Sequence, residues 1–267
     1  MNFIEKEMLA TLIKLKENFG CVGVKAEFEA EGVRLDEMLR LVELTYKADL
    51  KLAIKIGGCE AVKDINEAKQ FGADYLIAPM IESKYALSKY SDSIKKTYGG
   101  NDFTTKFLFN IETYLAYCNA NELVEFANNS QYVDGIVFGR VDFALSQSLT
   151  RADIETPKVS DSCFAIADKL KNQRSQLDFV VGGGISSHAL PFLKKLNEIY
   201  LSRFETRKII FDKNSLSNQD IHAGFLLAVK FELLWLTNKR DYYNMISEED
   251  DKRILMLQDR GELLKQN

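Results

Sequence analysis

"FLFNIETYLAY" (Phe107–Tyr117) and "VDGIVFGRVDFALSQ" (Val133–Gln147) decide how this chain is read. Each opens with a short apolar run that does not alternate, the pattern of a strand buried on both faces of a parallel sheet. Each then delivers an acid, Glu112 in one and Asp142 in the other, ahead of a segment with helical spacing. Strand, acid and helix in that order are the marks of βα units with something placed at the strand ends.

The same alternation extends outward in both directions. Further apolar runs stand at Cys21–Phe28, Lys51–Ile56, Asp74–Pro79, Asp178–Gly183 and Glu198–Phe204. Helix-period segments separate them, at Leu35–Tyr46, Glu60–Phe71, Ser83–Lys96, Leu115–Asn128, Ser160–Gln173 and Ser187–Leu196. An eighth run, "KIIFD" (Lys208–Asp212), follows the seventh too closely for a helical crossover between parallel neighbours, so closure there is expected to be irregular. The reading is α/β: a (β/α)8 TIM-type barrel over residues 1–217, opened by an N-terminal helix, with an open doubly wound sheet as the alternative. Its 267 residues are an ordinary length for one such barrel. Residues 218–267 read as two C-terminal helices. One carries the only tryptophan, Trp235; the other, Ser247–Lys265, is polar and acidic, and its leucines and Met256 are expected to pack on a neighbouring subunit.

Composition narrows the function classes. Apolar residues make up 46% and charged residues 28%, enough for a large core. A net charge of −4, with no basic stripe, argues against nucleic acid as a partner. No apolar run reaches the ~18 residues of a membrane span, and the charged N-terminal segment does not read as a secretory signal. The four cysteines, Cys21, Cys59, Cys118 and Cys163, form no CxxC pair and suit a reducing cytoplasm.

In a parallel barrel, chemistry sits where the strands end. The ends here supply Glu27 and Glu29; Lys55 and Gly57–Gly58; Glu82; Asn110 and Glu112; Gly139, Arg140 and Asp142; Gly182–Gly184; and Arg203, Glu205 and Arg207. Acids crowded at one mouth repel, and a hard divalent cation relieves the repulsion while needing only one or two protein carboxylates. A lone acid after a strand can equally be a helix cap. A lysine inside an apolar strand, as in "AIKIGG", is costly without a partner and points to a role for Lys55. "VVGGGISS" can cradle an anion on backbone amides or simply allow tight strand-to-helix packing. No GxSxG, GxGxxG or P-loop pattern occurs.

"PMIES" (Pro79–Ser83), "NIET" (Asn110–Thr113) and "GRVD" (Gly139–Asp142), in this order after "KIGG", resemble the HpcH/HpaI aldolase and citrate lyase β-subunit family. The resemblance is best over Gly20–Leu149. It implies a metal-dependent carbon–carbon lyase of the phosphoenolpyruvate/pyruvate superfamily. Carried over by position, Glu112 and Asp142 would hold Mg²⁺ or Mn²⁺, and the backbone amides around Gly139, Arg140 and Val141 would hold a 2-oxo acid's carboxylate. Glu27 and Glu29 would act around the metal's waters. Lys55 stands where the family usually has arginine, and the histidine that the aldolase branch places near the acidic segment has no counterpart. The exchange of C-terminal helices seen in the family implies a homo-oligomer, a trimer or hexamer.

The expected function is class II-type aldol cleavage or formation with a small 2-oxo acid such as pyruvate. Lys55 would stabilise the developing oxyanion, a metal-bound water or Glu29 would serve as base, and Arg203 or Arg207 would bind a distal substrate group. The rivals are a Schiff-base aldolase with Lys55 as nucleophile and a barrel that binds a ligand without turnover.

Overall fold

A computed structural model describes residues 1–100, 103–173 and 175–265. Helix α1 (Phe3–Phe19) ends on Gly20, whose φ of 68° lets the chain reverse into the first strand. The strands are β1 (Cys21–Glu27), β2 (Lys51–Lys55), β3 (Tyr75–Ala78), β4 (Lys106–Ile111), β5 (Gly135–Gly139), β6 (Asp178–Gly182), β7 (Arg203–Glu205) and β8 (Ile209–Asp212), and they close into a barrel in that order. Between them run α2 (Leu35–Lys47), α3 (Val62–Gln70), α4 (Lys84–Tyr98), α5 (Tyr114–Cys118), α6 (Ala120–Asn128), α7 (Arg140–Leu145), α8 (Pro157–Asn172) and α9 (Leu190–Ile199).

The TIM-type barrel is therefore present, with the expected irregularity at its seam. β8 pairs antiparallel with both β7 and β1. The physical reason is the short link Thr206–Lys208, which can form a hairpin but not a crossover. Thr206 N–H donates to the Ile209 carbonyl at 2.9 Å to close it. The seventh strand is also shorter than its apolar run, since Glu198 and Ile199 belong to α9.

Two apolar layers hold the barrel. The larger lies between strands and helices. The smaller fills the barrel interior with Ala53, Tyr75, Ile77, Leu108, Val137, Val180 and Ile210. Because strand side chains alternate, these positions fix what else points inward. Lys55, Asn110, Gly139, Gly182 and Glu205 follow at the C-terminal end of the barrel. Tyr75, Asp178 and Arg203 close the other end.

Arg203 is accordingly a correction. Its Nη2 lies 3.0 Å from Asp178 Oδ2, and its guanidinium lies 4.4 Å from the centre of the Tyr75 ring. Lys106 Nζ meets the same Asp178 oxygen at 3.0 Å. As the first residue of β7, Arg203 plugs the floor of the barrel, away from any ligand at the mouth.

The C-terminal region is one continuous helix, α10 (Ile221–Lys265), and not two. Nothing between Thr237 and Ser247 breaks it, since the sequence there contains neither glycine nor proline. Phe225, Ala228, Phe231 and Trp235 bury their faces in the chain's own core. Gly224 permits the approach, because a Cβ there would stand 3.0 Å from the Phe19 Cβ. Beyond Lys239 and Tyr243, which bond Glu37 at 3.2 and 2.9 Å, the helix is mostly exposed. No helix among the described residues is long and apolar enough to cross a membrane.

Candidate active site

Glu112 is the centre of the mouth. It follows β4 and is almost wholly buried. Its Oε1 accepts the Met80 N–H at 2.9 Å, and its Oε2 accepts Asn110 Nδ2 at 2.6 Å and Lys55 Nζ at 3.2 Å. Two local features make this possible. Met80 takes a left-handed φ of 50°, a backbone state unusual for a non-glycine residue, and turns its N–H toward the carboxylate. Gly139 leaves room, because a Cβ there would stand 2.8 Å from the Glu112 Cβ and 3.0 Å from its Oε2.

Lys55 is buried at the end of β2 between two acids. Its Nζ lies 3.2 Å from Glu112 Oε2 and 3.0 Å from Glu29 Oε2, the second contact being an ion pair that is not aligned as a hydrogen bond. Burial opposes its charge, but Glu112 and Glu29 outweigh burial and raise its pKa above the ordinary lysine value.

Asp142 sits in the first turn of α7, partly buried. Its carboxyl is pushed above the usual range by burial and by the nearby charges of Glu112 and Glu29, with Lys55 and Arg151 opposing. Like charges have thus been gathered with too few cations to balance them. Among the described residues, no group of three or more His, Cys, Asp or Glu side chains forms a ligand cage. A cation here would have these two carboxylates and complete its shell with water and substrate, the habit of Mg²⁺. The donor set fits such an ion.

The residues at the β5 and β6 ends have divided roles. The Arg140 and Val141 amides open α7 and have no intrahelical acceptor. Gly183, at φ 86°, leaves a gap beside them: a Cβ there would stand 2.8 Å from Val141 N and 3.0 Å from Arg140 N. The Arg140 side chain turns the other way. It is 0% exposed, with Nη1 3.0 Å from Glu155 Oε2 and its Nε and Nη2 donating to the Gly183 and Gly184 carbonyls at 3.0 Å each. It ties the start of α7 to the loop after β6 and does not face the mouth.

On the far side, β1 contributes Glu27. Burial raises its pKa, but Lys25 and Lys55 lead a set of cations that bring it below the usual value. Lys25 Nζ lies 3.5 Å from Glu27 Oε1 and 2.5 Å from Glu205 Oε1. Lys25 was legible by the same sign as Lys55, a lysine within the apolar run "CVGVKAEF". Asn110 lies in "NIET" and Glu205 follows the seventh run, but the sequence assigns neither of them a role. The fold brings together Glu112, Asp142, Lys55, Glu29 and Glu27, adds Lys25, Asn110 and Glu205, and leaves Arg203 outside.

Comparison with known proteins agrees with this fold. The chain superposes on an HpcH/HpaI aldolase from Desulfitobacterium hafniense with a TM-score of 0.60 at 14% identity, covering 84% of this chain and 88% of the other. An HpcH/HpaI aldolase/citrate lyase family protein from Burkholderia cenocepacia gives 0.56 at 12% identity, covering 86% and 99%. A citrate synthase variant gives 0.55 at 11% identity, covering 84% and 89%. At such identities the likeness is one of fold. Comparison with curated protein sequences gives no match. The family described as HpcH/HpaI aldolase/citrate lyase matches residues 34–183, a span that runs from the start of α2 to the Gly183 turn and contains Lys55, Glu112 and Asp142. The chain belongs to the HpcH/HpaI aldolase/citrate lyase family, and so to the lyases of the phosphoenolpyruvate/pyruvate superfamily.

Proposed function

We propose that this protein is a metal-dependent aldolase that cleaves or forms the carbon–carbon bond between a 2-oxo acid and an aldehyde. Glu112 and Asp142 hold the divalent cation. When bound, that cation supplies Lewis-acid stabilisation of the charge that develops on the substrate's carbonyl oxygen. Members of the family are generally divalent-metal dependent.

The chain's own groups do the rest. The Arg140 and Val141 amides, beside the gap left by Gly183, receive the substrate carboxylate. Lys55 places a fixed ammonium where negative charge grows, an electrostatic task that typically dominates such reactions. As one point charge it lacks the two-pronged grip of an arginine. Glu112 and Glu29 keep Lys55 protonated, and their contacts at 3.2 and 3.0 Å orient it.

The observation that carries this reading is the meeting of Glu112 and Glu29 within 3.2 Å of the Lys55 ammonium, with Asp142 in their field. The same observation weighs against Lys55 as a Schiff-base nucleophile, which would need a neutral amine. The test is turnover of 4-hydroxy-2-oxo acids with pyruvate as product. Activity should vanish with EDTA, return with Mn²⁺ or Mg²⁺, and leave no borohydride-trapped adduct on Lys55. A trapped adduct, or activity indifferent to chelation, overturns it. Binding of pyruvate without turnover of any such acid would favour a non-catalytic barrel.

A further inference from the structure

We infer that Glu205, held by Lys25, is the group that takes the proton from the substrate's hydroxyl on the aldehyde side. The inference rests on the aldolase reading and moves the base from Glu29, which faces the Lys55 ammonium at 3.0 Å, to a carboxylate that no motif identifies.

The argument is geometric. Gly139 and Gly182 are register partners at the ends of β5 and β6, both in the inward position, so the barrel wall between them has no side chains. A Cβ on Gly139 would stand 3.0 Å from Glu112 Oε2. A Cβ on Gly182 would stand 3.2 Å from Glu205 Oε1. Substrate atoms lying over this bare strip would touch a carboxylate oxygen at each end, one at the metal-side wall and one at the β7 wall. A second observation marks the strip as a ligand site. Asn110, 4% exposed and inward on β4, donates its Nδ2 to Glu112, while its Oδ1 is buried without a partner among the described residues. A buried acceptor left open is costly unless something arrives to satisfy it. A polar hydrogen of the bound substrate other than that of the C4 hydroxyl does so.

The step balances within the substrate. Glu205 accepts the C4 hydroxyl proton as the C3–C4 bond breaks. The electron pair of that bond forms the C2–C3 double bond, and the carbonyl pair moves onto the C2 oxygen. The aldehyde leaves with its new C4 carbonyl, and return of the proton from Glu205 through solvent to C3 completes the 2-oxo acid and restores the carboxylate. Lys25, 2.5 Å from Glu205 Oε1, is the positioning residue that fixes the carboxylate.

The test compares two reactions on the same metal-loaded protein. Cleavage of a 4-hydroxy-2-oxo acid needs a base at the hydroxyl. Decarboxylation of oxaloacetate produces the same enolate but has no hydroxyl proton to remove. Glu205→Gln should lower kcat for cleavage about 10²–10⁴-fold, the usual worth of a general base, while decarboxylation stays within about threefold. Gly182→Ala, which fills the strip, should show the same split with KM for the hydroxy acid raised. Parallel loss of both reactions in Glu205→Gln would assign the pair a structural role and overturn the inference, as would unimpaired cleavage. A wild-type protein that performs neither reaction instead overturns the aldolase reading itself.

Discussion

Gly139→Ala separates the site from the scaffold. Its φ of −91° is open to any residue, so the substitution acts through space alone. The new methyl would meet the Glu112 Cβ at 2.8 Å, closer than real contacts allow, and Oε2 at 3.0 Å, a tight one. Glu112 cannot yield freely, because Met80 N, Asn110 Nδ2 and Lys55 Nζ hold both its oxygens. Overpacking of this kind costs about 1–3 kcal/mol, and a weakened charge-assisted hydrogen bond adds about 1 kcal/mol or more. A total loss of about 2–4 kcal/mol follows, read from the urea midpoint at constant m. Mn²⁺ affinity, titrated by electron paramagnetic resonance, should fall about 10–100-fold, the range typical when a ligand's support is disturbed. The other end of the same strand provides the control. A methyl on Gly135 would stand 2.8 Å from the Asp178 carbonyl, so Gly135→Ala should cost comparable stability and leave Mn²⁺ binding intact. Wild-type stability and Mn²⁺ affinity in Gly139→Ala would refute the reasoning, and so would loss of Mn²⁺ binding in both variants.

Other outcomes are expected elsewhere in the molecule. Burial raises the Asp178 pKa, but Arg203 and Lys106 more than compensate and hold it below the ordinary aspartate value in the folded state. Its contribution is therefore complete above the unfolded value and is lost as pH falls through the folded one, so Asp178→Asn should flatten the acid limb of a stability–pH curve and leave its neutral and basic limbs parallel to wild type. Arg140→Met strands Glu155 and two carbonyls and should cost about 2–4 kcal/mol in denaturant unfolding, Glu155 being partly exposed. Phe231→Ala, in the buried half of α10, should cost about 3–5 kcal/mol. Truncation after Asn244 should leave the thermal midpoint of the barrel within a few degrees of wild type, because the residues removed are mostly exposed.

The barrel was legible because buried parallel strands read as unbroken apolar runs and Glu112 and Asp142 follow two of them directly. Lys55 and Lys25 betray themselves as charges in apolar strands. Two things were not legible. The Arg203 side chain can be assigned to the mouth or the floor only by knowing where its short strand begins, and Ile199, Tyr200 and Leu201 ahead of it make that strand read longer than it is. The partnership of Lys25 with Glu205 spans 180 residues of chain, a closure no local pattern encodes. The single long helix was missed for a related reason: a change from apolar to acidic composition signals a change of environment, not a break in backbone hydrogen bonding.

The reversed eighth strand also sets the direction of everything after it. In an all-parallel barrel the last helix would descend from the catalytic rim. Here β8 carries the chain down, and α10 climbs back, from Gly224 beside Phe19 to Asn238, whose side chain meets Asn2 at the opposite end of α1. The remaining turns, Lys239–Lys265, extend about 40 Å further at 1.5 Å per residue. Tethering the protein to a solid support by its tail would therefore set the barrel mouth toward the support, whereas attachment at the floor around Lys106 would leave that mouth facing the bulk.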